Sequence, residues 1–509
     1  MAETLRHLAR LARIATTLAR HDALAPLAGA GVPVFFVALL RRLARPGTTG
    51  RPGEMLARAL AELGPSFVKL GQLLSVRSDL VGEAMADDLA ALQDRLPPFS
   101  GAEARAAIER DLGQPVEALF ATFDDRAVAA ASIAQVHWAT TTEGRAVAVK
   151  VLRPGIEAAF ERDLALLAWL ARLALRLRPA LTRLRPVEVV ATLAETVRIE
   201  MDLRMEAAAA AELAENFAGD DGFRVPEVDW ARTGHRVLTL ERIEGIPIDE
   251  RSALFAAGHD PRTILARAAG ALFKQAFRDG FFHADLHPGN LFVDTAGRVV
   301  AVDFGIMGRL DWATRCHLAD ILIGFLARDY ARVAEAHFAA GYVPAGRSRS
   351  AFQQACRAIA EPILGLPLRD ISVARLLAQL FRVTAAFGME TQPQLLLLQK
   401  SMVVAEGVGR RLDPEVNIWE LARPLIEEWA ADNRGPDSRL REAVGEGLAT
   451  AGRVPRILAE AESTLAALRA AARRMDDDAS RAAGRGLNQT LLWAVAVAAL
   501  VLALVEALD

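Results

Sequence analysis

The size and the residue content of the chain favour some classes of protein over others. Its 509 residues exceed what one ordinary hydrophobic core holds, which predicts two lobes or domains with appended helices. Hydrophobic residues make up 52% and the mean hydropathy is +0.20, a balance that favours helices and contact with a membrane. The net charge of -3 gives no reason to expect a nucleic-acid partner. Cys316 and Cys356 have neither disulfide nor zinc-site spacing, which fits a reducing compartment.

The first segment, residues 1–53, begins as a basic amphipathic helix, and an apolar patch follows at 32–40. The leucines and alanines of the helix are interrupted by arginines, namely Arg6, Arg10, Arg13 and Arg20. The patch is too short to span a bilayer unaided. Two interpretations stay open: a segment that lies on a membrane surface or targets the chain, and an ordinary helix that packs on the rest of the protein.

Residues 54–120 keep a helical pattern. Apolar side chains recur at spacings of three or four, which predicts helices with one buried face. The recurring residues are Leu56, Leu60, Leu63, Phe67, Leu70 and Leu74. This region is therefore predicted to be a helical extension that precedes the next domain.

Residues 121–250 begin with short apolar runs that are typical of strands. Runs at 126–139 and 145–152 are separated by 140–144, which predicts a hairpin. The other elements predicted here are a helical insert and two strands, at 154–217, 225–228 and 237–243.

The remainder of the chain is predicted to be helical. Residues 251–430 form a helical lobe and 431–486 a helical connector. Residues 487–508 contain an uninterrupted uncharged run that, with its flanks, can cross a hydrocarbon core of roughly 30 Å at about 1.5 Å per residue. Arginines precede this run and acids follow it, so the positive-inside rule predicts an anchor in the bacterial inner membrane with the rest of the chain in the cytoplasm. The alternative is a helix buried in a dimer interface.

Four short motifs occur in the order and with the gaps of a kinase-type phosphate site. Residues 129–136 fit the loop pattern G-x-G-x-x-G-x-V, with alanine at all three glycine positions. Residues 147–150 resemble V-A-I-K, residues 283–290 resemble H-R-D-L-x-x-x-N, and residues 303–305 are D-F-G. Any one motif could arise by chance, but the ordered set predicts a nucleotide-handling, kinase-like fold.

Phosphoryl transfer requires a held triphosphate, neutralised charge and an oriented nucleophile. Lys150 is predicted to hold the α- and β-phosphates, and Glu206 to hold Lys150 by an ion pair. Asp285 stands where the base or nucleophile-orienting group belongs, while Asp303 and Asn290 are the predicted Mg²⁺ ligands. Each residue alone would be read as a surface charge or a packed side chain, and only the common spacing favours the site.

The alanine loop departs from the kinase pattern in a way that has a chemical consequence. A Cβ restricts both the backbone dihedrals and the close approach of N–H groups to phosphate, so the loop is predicted to change the grip on the nucleotide rather than merely to fill a tight turn. The predicted nucleotide-binding residues of the loop are Ala129, Ala130, Ala131, Ser132, Ile133, Ala134, Gln135 and Val136.

Three motifs carry a specific family resemblance. They are K-x-G-Q at residues 69–72, the A-A-A-S loop at 129–132 and E-x-D at 200–202. With them, residues 54–430 resemble the UbiB family of atypical kinase-like proteins, which supports ubiquinone biosynthesis. The resemblance implies an α+β, mainly helical, two-lobed protein-kinase-like fold with a helical amino-terminal extension, to which the sequence adds the carboxy-terminal transmembrane helix.

The same resemblance implies what the site binds. The K-x-G-Q helices would fold over the place where a protein substrate would bind, so that Lys69 and Gln72 face the nucleotide and Lys69 pairs with Glu200. It further implies binding of ATP or ADP with Mg²⁺, and a membrane-stimulated ATPase activity rather than ordinary protein kinase activity. The implied partners are membrane lipid, quinone precursors and a complex of quinone-biosynthetic enzymes.

Rival functions stay open at this point. The loop H-x-D-L-H-P-G-N also resembles loops of small-molecule phosphotransferases, and His287 differs from the lysine of ordinary protein kinases. A small-molecule or lipid phosphotransferase is therefore one alternative, and a nucleotide-binding scaffold of a membrane complex is another. A scaffold need not keep every predicted site residue, so retention of the full set counts against it: Lys150, Glu206, Asp285, Asn290 and Asp303. A homodimer is also left open.

Overall fold

The structure is a computed structural model that describes most of the chain up to residue 434. The described residues are a few positions between 379 and 389 and the ranges 2–24, 50–75, 81–90, 97–131, 133–177, 186–363, 393–416 and 418–434. The predicted apolar patch at 32–40 and transmembrane helix at 487–508 lie outside them, as does the predicted connector from 435 onward. Within those ranges no helix is long and apolar enough to cross a membrane.

The chain divides into two compact units, Met1–Ile426 and Glu427–Asp509, and the candidate site residues all fall in the first. That unit begins with helices. Their bounds are α1 Ala2–Arg20, α2 Pro52–Leu63, α3 Pro65–Ser75, α4 Glu83–Ala90, α5 Gly101–Leu112 and α6 Val116–Leu119. Ser100 and Glu103 form a capping box that begins α5, and Gly113 ends it in the left-handed region with φ 70°.

The amino-terminal helix α1 packs on the protein. Arg10 pairs with Asp163 at 2.8 Å and also donates to the carbonyl of Leu63 at 3.2 Å. Its guanidinium additionally lies 5.3 Å from the centre of the Phe67 ring. Of the two interpretations of this segment, these contacts favour the helix packed on the domain.

A five-stranded antiparallel sheet follows. Its strands run in the order β1-β3-β4-β6, with β2 beside β3. The bounds are β1 Phe120–Phe123, β2 Ala129–Ala130, β3 Ala134–Thr141, β4 Ala146–Leu152 and β6 Val237–Glu241. The predicted hairpin is β3 and β4, and the turn closes at Gly144, whose φ of 86° suits glycine.

The predicted helical insert packs against this sheet. It consists of α7 Ile156–Leu177, α8 Pro186–Glu200 and α9 Leu203–Asn216. Asp202 begins α9 by accepting a hydrogen bond from the backbone N–H of Arg204. Leu203, Ala207 and Ala210 of α9 are fully buried in the main core, where small alanine side chains let the helix lie close to its neighbours.

One strand prediction was wrong in detail. Residues 225–228 do not form a strand: β5 is Phe223–Arg224, and Val228 makes only a single bridge to Leu240. Pro226 explains the difference, because proline has no N–H to donate to a strand ladder.

The second lobe combines two small sheets with helices. One sheet has the order β5-β10-β9-β7, and the other pairs β8 with β11. Their bounds are β7 Ile246–Pro247, β8 Phe281–His283, β9 Leu291–Val293, β10 Val299–Ala301 and β11 Met307–Arg309. The helices are α10 Arg251–Ala256, α11 Pro261–Phe273, α12 Trp312–Leu326, α13 Tyr330–Ala339, α14 Arg349–Ala360, α15 Pro393–Leu412 and α16 Ile418–Arg434. The described elements confirm the predicted α+β, mainly helical architecture.

The β8–β11 ladder places the two phosphate-site loops side by side. His283 lies opposite Met307 and Phe282 opposite Gly308, so the loop after β8 and the loop before β11 meet at one edge. Phe282 is fully buried, and a Cβ built on Gly308 would overlap its ring. The absence of a side chain at 308 therefore permits this pairing.

We expect Gly308→Ala to lower the free energy of unfolding by about 1–3 kcal/mol, because the buried Phe282 ring must shift. Chemical denaturation measures the change. The control is Gly270→Ala in α11, where an added Cβ meets nothing within 4 Å. That variant should be as stable as the wild type or more stable by up to about 1 kcal/mol, and equal losses in both variants would contradict the close-contact explanation.

Candidate functional site

Lys150 reaches the site because side chains alternate along β4. Val147, Val149 and Val151 are at most 1% exposed and pack on the core beneath α5. Since successive strand residues point to opposite faces, Lys150 points to the other side of the sheet. There it lies between Val136 of β3 and Leu238 of β6. The strand pattern therefore dictates which face carries the ammonium.

Glu206 of α9 meets this lysine. Lys150 Nζ donates to both carboxylate oxygens of Glu206, at 2.7 and 2.9 Å. The Glu206 side chain is only 7% exposed, and burial raises the pKa of Glu206 to about 7, with Lys150 opposing the shift. Burial also opposes the charged form of Lys150, but the carboxylates of Asp303 and Glu206 outweigh it and raise the pKa of Lys150 above its ordinary value. The predicted ion pair is present in the structure.

Asp303 binds the same ammonium. Lys150 Nζ donates to Asp303 Oδ1 at 2.8 Å. Asp303 has a φ of 64°, a left-handed conformation that is uncommon outside glycine and costs free energy. The positive charge of Lys150 lowers the pKa of Asp303 well below its usual range, and the charge of Lys69 acts in the same direction. Asp303 is therefore anionic at neutral pH.

The catalytic-type loop is held by its own polar groups. The side-chain amide of Asn290 donates to the carbonyl of Asp285 at 3.0 Å, and the backbone N–H of Val302 donates to the carbonyl of Asn290 at 2.9 Å. These bonds connect the loop to Asp303, the next residue. Asp285, Asn290 and Asp303 thus belong to one hydrogen-bonded assembly.

His283 is the buried support of this loop. Its Nε2 donates to the carbonyl of Val302 at 3.1 Å, and its Nδ1 accepts from the backbone N–H of Asp285 at 3.1 Å. Burial lowers the pKa of His283, which matches a neutral ring with one donor and one acceptor. The backbone N–H of His283 donates in turn to the Gln275 side chain in a π-helical turn, Lys274–Asp279. The hydrogen bonds of His283 therefore hold the loop in position.

The K-x-G-Q helix α3 contributes the expected pair. Lys69 Nζ lies 2.8 Å from Glu200 Oε2, and their side chains are only 10% and 7% exposed. After the larger effect of Lys150, the charge of Lys69 also contributes to the lowered pKa of Asp303. Gln72 is half-buried on the same helix. A direct role of Gln72 towards a nucleotide stays a prediction.

The alanine loop forms a tight turn rather than an open glycine flap. The backbone N–H of Ala131 donates to the carbonyl of Ala134 at 2.8 Å, and Arg153 donates to the carbonyl of Ala131 at 2.9 Å. Ala134 is 1% exposed and belongs to the main core. Ser132 lies outside the described residues.

The members of the loop therefore differ in what they can offer a nucleotide. Ala129 is exposed, whereas Ile133 is buried in the main core. Gln135 is fully buried and holds the backbone of Phe99 by accepting at 2.9 Å and donating at 3.2 Å. The Ala134 side chain is thus packed in the core and the Gln135 side chain is hydrogen-bonded within the protein, so a nucleotide-binding role for these two residues stays a prediction. Ala134 is buried because it pairs with the buried Leu152 in the sheet.

Comparisons with known proteins agree with this geometry. A family model described as the ABC1 atypical kinase-like domain matches residues 91–337, and one described as the UbiB helical domain matches residues 356–417. The probable protein kinase UbiB of Marinobacter nauticus is 43% identical over 442 residues, which cover 85% of this chain and 81% of the relative. The chain belongs to the UbiB family.

Other relatives support the same assignment. The probable protein kinase UbiB of Xanthomonas oryzae is 45% identical over 401 residues, covering 77% of this chain and 72% of the relative. Among solved structures, the complex of Rv3197 with erythromycin from Mycobacterium tuberculosis matches with a TM-score of 0.52 and 27% identity, covering 72% of this chain and 93% of that one. The family models and relatives therefore show the UbiB family and its kinase-like domain, and the solved structure supports the likeness of fold.

Sequence reasoning missed one charged residue of this UbiB-family site. Lys400 of α15 donates to Asp285 Oδ1 at 2.7 Å, across a separation of 115 residues. The available signal was a lysine two positions after four consecutive leucines, Leu395–Leu398, because a charge beside an apolar helical stretch needs a partner. Nothing in the local pattern indicates which carboxylate that partner is.

We expect Lys69→Met to lower the free energy of unfolding by about 3–5 kcal/mol, since it leaves the carboxylate of Glu200 buried without its partner. Urea denaturation measures the loss. A second substitution, Glu200→Leu, made in the same chain should recover part of it, because no uncompensated charge then remains.

The control for this pair is Arg204→Met. Arg204 pairs with Asp202 at 2.7 Å, but its side chain is 58% exposed. Removing an exposed partner should cost less than about 1 kcal/mol. If Lys69→Met costs no more than Arg204→Met, the ion pair does not hold α3 in place.

Proposed function

We propose that this UbiB-family protein binds ATP with Mg²⁺ between its two lobes and hydrolyses it, and that the hydrolysis supports ubiquinone biosynthesis at the membrane. The observation that carries the proposal is the single Lys150 ammonium bonded to Glu206 and Asp303 at once. That arrangement unites one residue from each of the three elements that a kinase-type phosphate site requires.

The roles of the residues follow from their surroundings. Lys150 would bind the α- and β-phosphates, and Glu206, buried behind it, would keep the ammonium aimed at them. The Asp285 side chain is 26% exposed and accepts a hydrogen bond from Lys400, so its carboxylate is accessible and can orient a nucleophile. Water is the proposed nucleophile.

The donor set fits Mg²⁺ in nucleotide-bound form. Asp303 is anionic and its side chain is 47% exposed, so a hard cation can reach its oxygens. Asn290 belongs to the same hydrogen-bonded assembly, and its side-chain amide oxygen would be the second protein ligand of the metal. Mg²⁺ commonly takes only one or two such protein ligands and completes its shell with phosphate and water. When bound, the ion would neutralise charge on the phosphates.

Hydrolysis is preferred over protein phosphorylation because of helix α3. The Lys69–Glu200 pair anchors this helix, and the charge of Lys69 acts on Asp303. An element fixed there by a buried ion pair would occupy space that a protein substrate needs. The tight alanine turn adds a second difference from protein kinases.

The proposed link to quinone synthesis and to the membrane is supported by the relatives and by the sequence, and not by the geometry of the site. Relatives are named probable protein kinase UbiB. The sequence of residues 487–508 is apolar and uncharged over most of its length, as a membrane anchor requires. We include membrane lipid, quinone precursors and a complex of quinone-biosynthetic enzymes in the proposal as its partners.

We expect Asp303→Asn to abolish Mg²⁺-dependent ATP binding and hydrolysis, because it removes the anionic ligand that would hold the metal. Calorimetry with and without Mg²⁺ measures binding, and release of inorganic phosphate measures turnover. Parallel assays for phosphate on lipid and on protein decide between water and another acceptor.

Asp320→Asn is the control, since Asp320 pairs with Arg332 in the helices of the second lobe. It should leave both measurements unchanged. Unaltered Mg²⁺-dependent ATP affinity in a folded Asp303→Asn protein would remove Asp303 from the metal site.

We expect Ala131→Gly to tighten ATP binding and to alter the preference between ATP and ADP, because loss of the Cβ lets the turn backbone approach phosphate. Quinone content should fall in cells that carry the variant, since the loop would then hold phosphates as a protein kinase does. The control Ala146→Gly, at the exposed start of β4, should change neither quantity. If Ala131→Gly also changes neither, the turn is purely structural.

A further inference from the structure

The catalytic-type loop of this chain lacks a cation of its own. His287 occupies the position where ordinary protein kinases carry a lysine. Its Nδ1 accepts a hydrogen bond from the backbone N–H of Gly289 at 3.0 Å, which ties the ring into the turn Pro288–Asn290. The His287 ring is thus used to shape the loop. A transferred phosphoryl group nevertheless carries charge that the site must neutralise.

Lys400 supplies a cation at this place from a distant helix. Its Nζ donates to Asp285 Oδ1 at 2.7 Å, so the ammonium lies directly beside the carboxylate that would orient the nucleophile. The side chains of Lys400 and Asp285 are 39% and 26% exposed. Both are open enough to contact a bound substrate, which distinguishes them from the buried pair of Lys69 and Glu200.

The helix that carries Lys400 is fixed to the loop by its next residue. Ser401 is fully buried, and its hydroxyl proton is shared between the carbonyl of His283 at 3.2 Å and the carbonyl of Leu397 in its own helix at 3.1 Å. Further along α15, Val408 and Leu412 enter the same core as Leu286 and Phe304. These contacts attach α15 to the catalytic-type loop and to the core around it. They therefore determine the position of Lys400 beside Asp285.

We propose that Lys400 is a catalytic residue, the second lysine of the phosphate site, which contacts the γ-phosphoryl group beside Asp285. This inference rests on the proposed hydrolysis of ATP. In that step the oxygen of water forms a bond to the γ-phosphorus, and the bond from phosphorus to the β–γ bridging oxygen breaks. ADP leaves with the electron pair. One water proton stays on the phosphate product, and the other passes to Asp285 and then to solvent. Lys400 neutralises the charge on the γ-phosphoryl oxygens during the transfer.

The test is steady-state ATP hydrolysis by the full-length chain carrying Lys400→Met, Lys400→Gln or Lys400→Arg, alongside calorimetric binding of Mg²⁺ with ADP. ADP lacks the γ-phosphoryl group, so its affinity should not change in any of the variants. The kcat should fall roughly 10²-fold for the two neutral variants, the loss typical for removing one such donor. Lys400→Arg should retain part of the rate because it keeps the charge.

The control is Arg332→Met. Arg332 pairs with Asp320 at 2.8 Å, and the two side chains are 44% and 22% exposed, close to the values of the Lys400 pair. It should keep the wild-type kcat.

The outcomes separate this inference from the proposed function. If the wild-type chain hydrolyses ATP and Lys400→Met has the same kcat as Arg332→Met, only the proposed role of Lys400 is overturned. Parallel loss of ADP affinity and kcat in all Lys400 variants would assign a structural role to Lys400 and overturn the inference too. Absence of hydrolysis by the wild-type chain would overturn the proposed function, and the inference with it.

Discussion

The ammonium of Lys150 is the point on which the site depends. It is bonded to a buried carboxylate on a helix and to a half-exposed carboxylate on a loop, so it joins the sheet, helix α9 and the second lobe. Two carboxylates so close would repel each other without the cation. Lys150 is in turn held by the valines of its own strand, which pack on the opposite face of the sheet.

The hydrophobic core converts this local chemistry into a fixed geometry. Helix α9 presents Glu206 because the neighbouring Leu203, Ala207 and Ala210 fill the main core. Phe304 enters the same core from the loop that carries Asp303. One continuous apolar cluster therefore sets the distance between two charged groups that come from different lobes.

Helices outside the kinase-like core each bring a positively charged side chain to the site. The helical extension brings Lys69, which pairs with Glu200 and acts on Asp303. Helix α15 brings Lys400, which pairs with Asp285. Asp285 is therefore paired with a cation from helix α15, and the pKa of Asp303 is lowered in part by a cation from helix α3.

Features that depend on short-range patterns were predictable from the order of the residues alone. Strand alternation placed Lys150 opposite its valines, helical periodicity located the extension and the insert, and the motif gaps brought Asp285, Asn290 and Asp303 together. These predictions succeed because each depends on residues that lie within about one helical turn or one hairpin of each other in the chain. Even the failure at residues 225–228 has a local cause, Pro226, that the sequence displayed.

Which distant groups meet depends on the packing of the whole fold, which short-range patterns do not reveal. The bond from Lys400 to Asp285 and the burial of Gln135 against Phe99 join residues that are far apart in the chain. So does the pair of Arg10 with Asp163. Charges on helices separated by many residues have numerous candidate partners, and only the packing of the apolar faces selects one of them. For that reason the identity of the loop motifs was predictable, whereas the cation beside Asp285 was not.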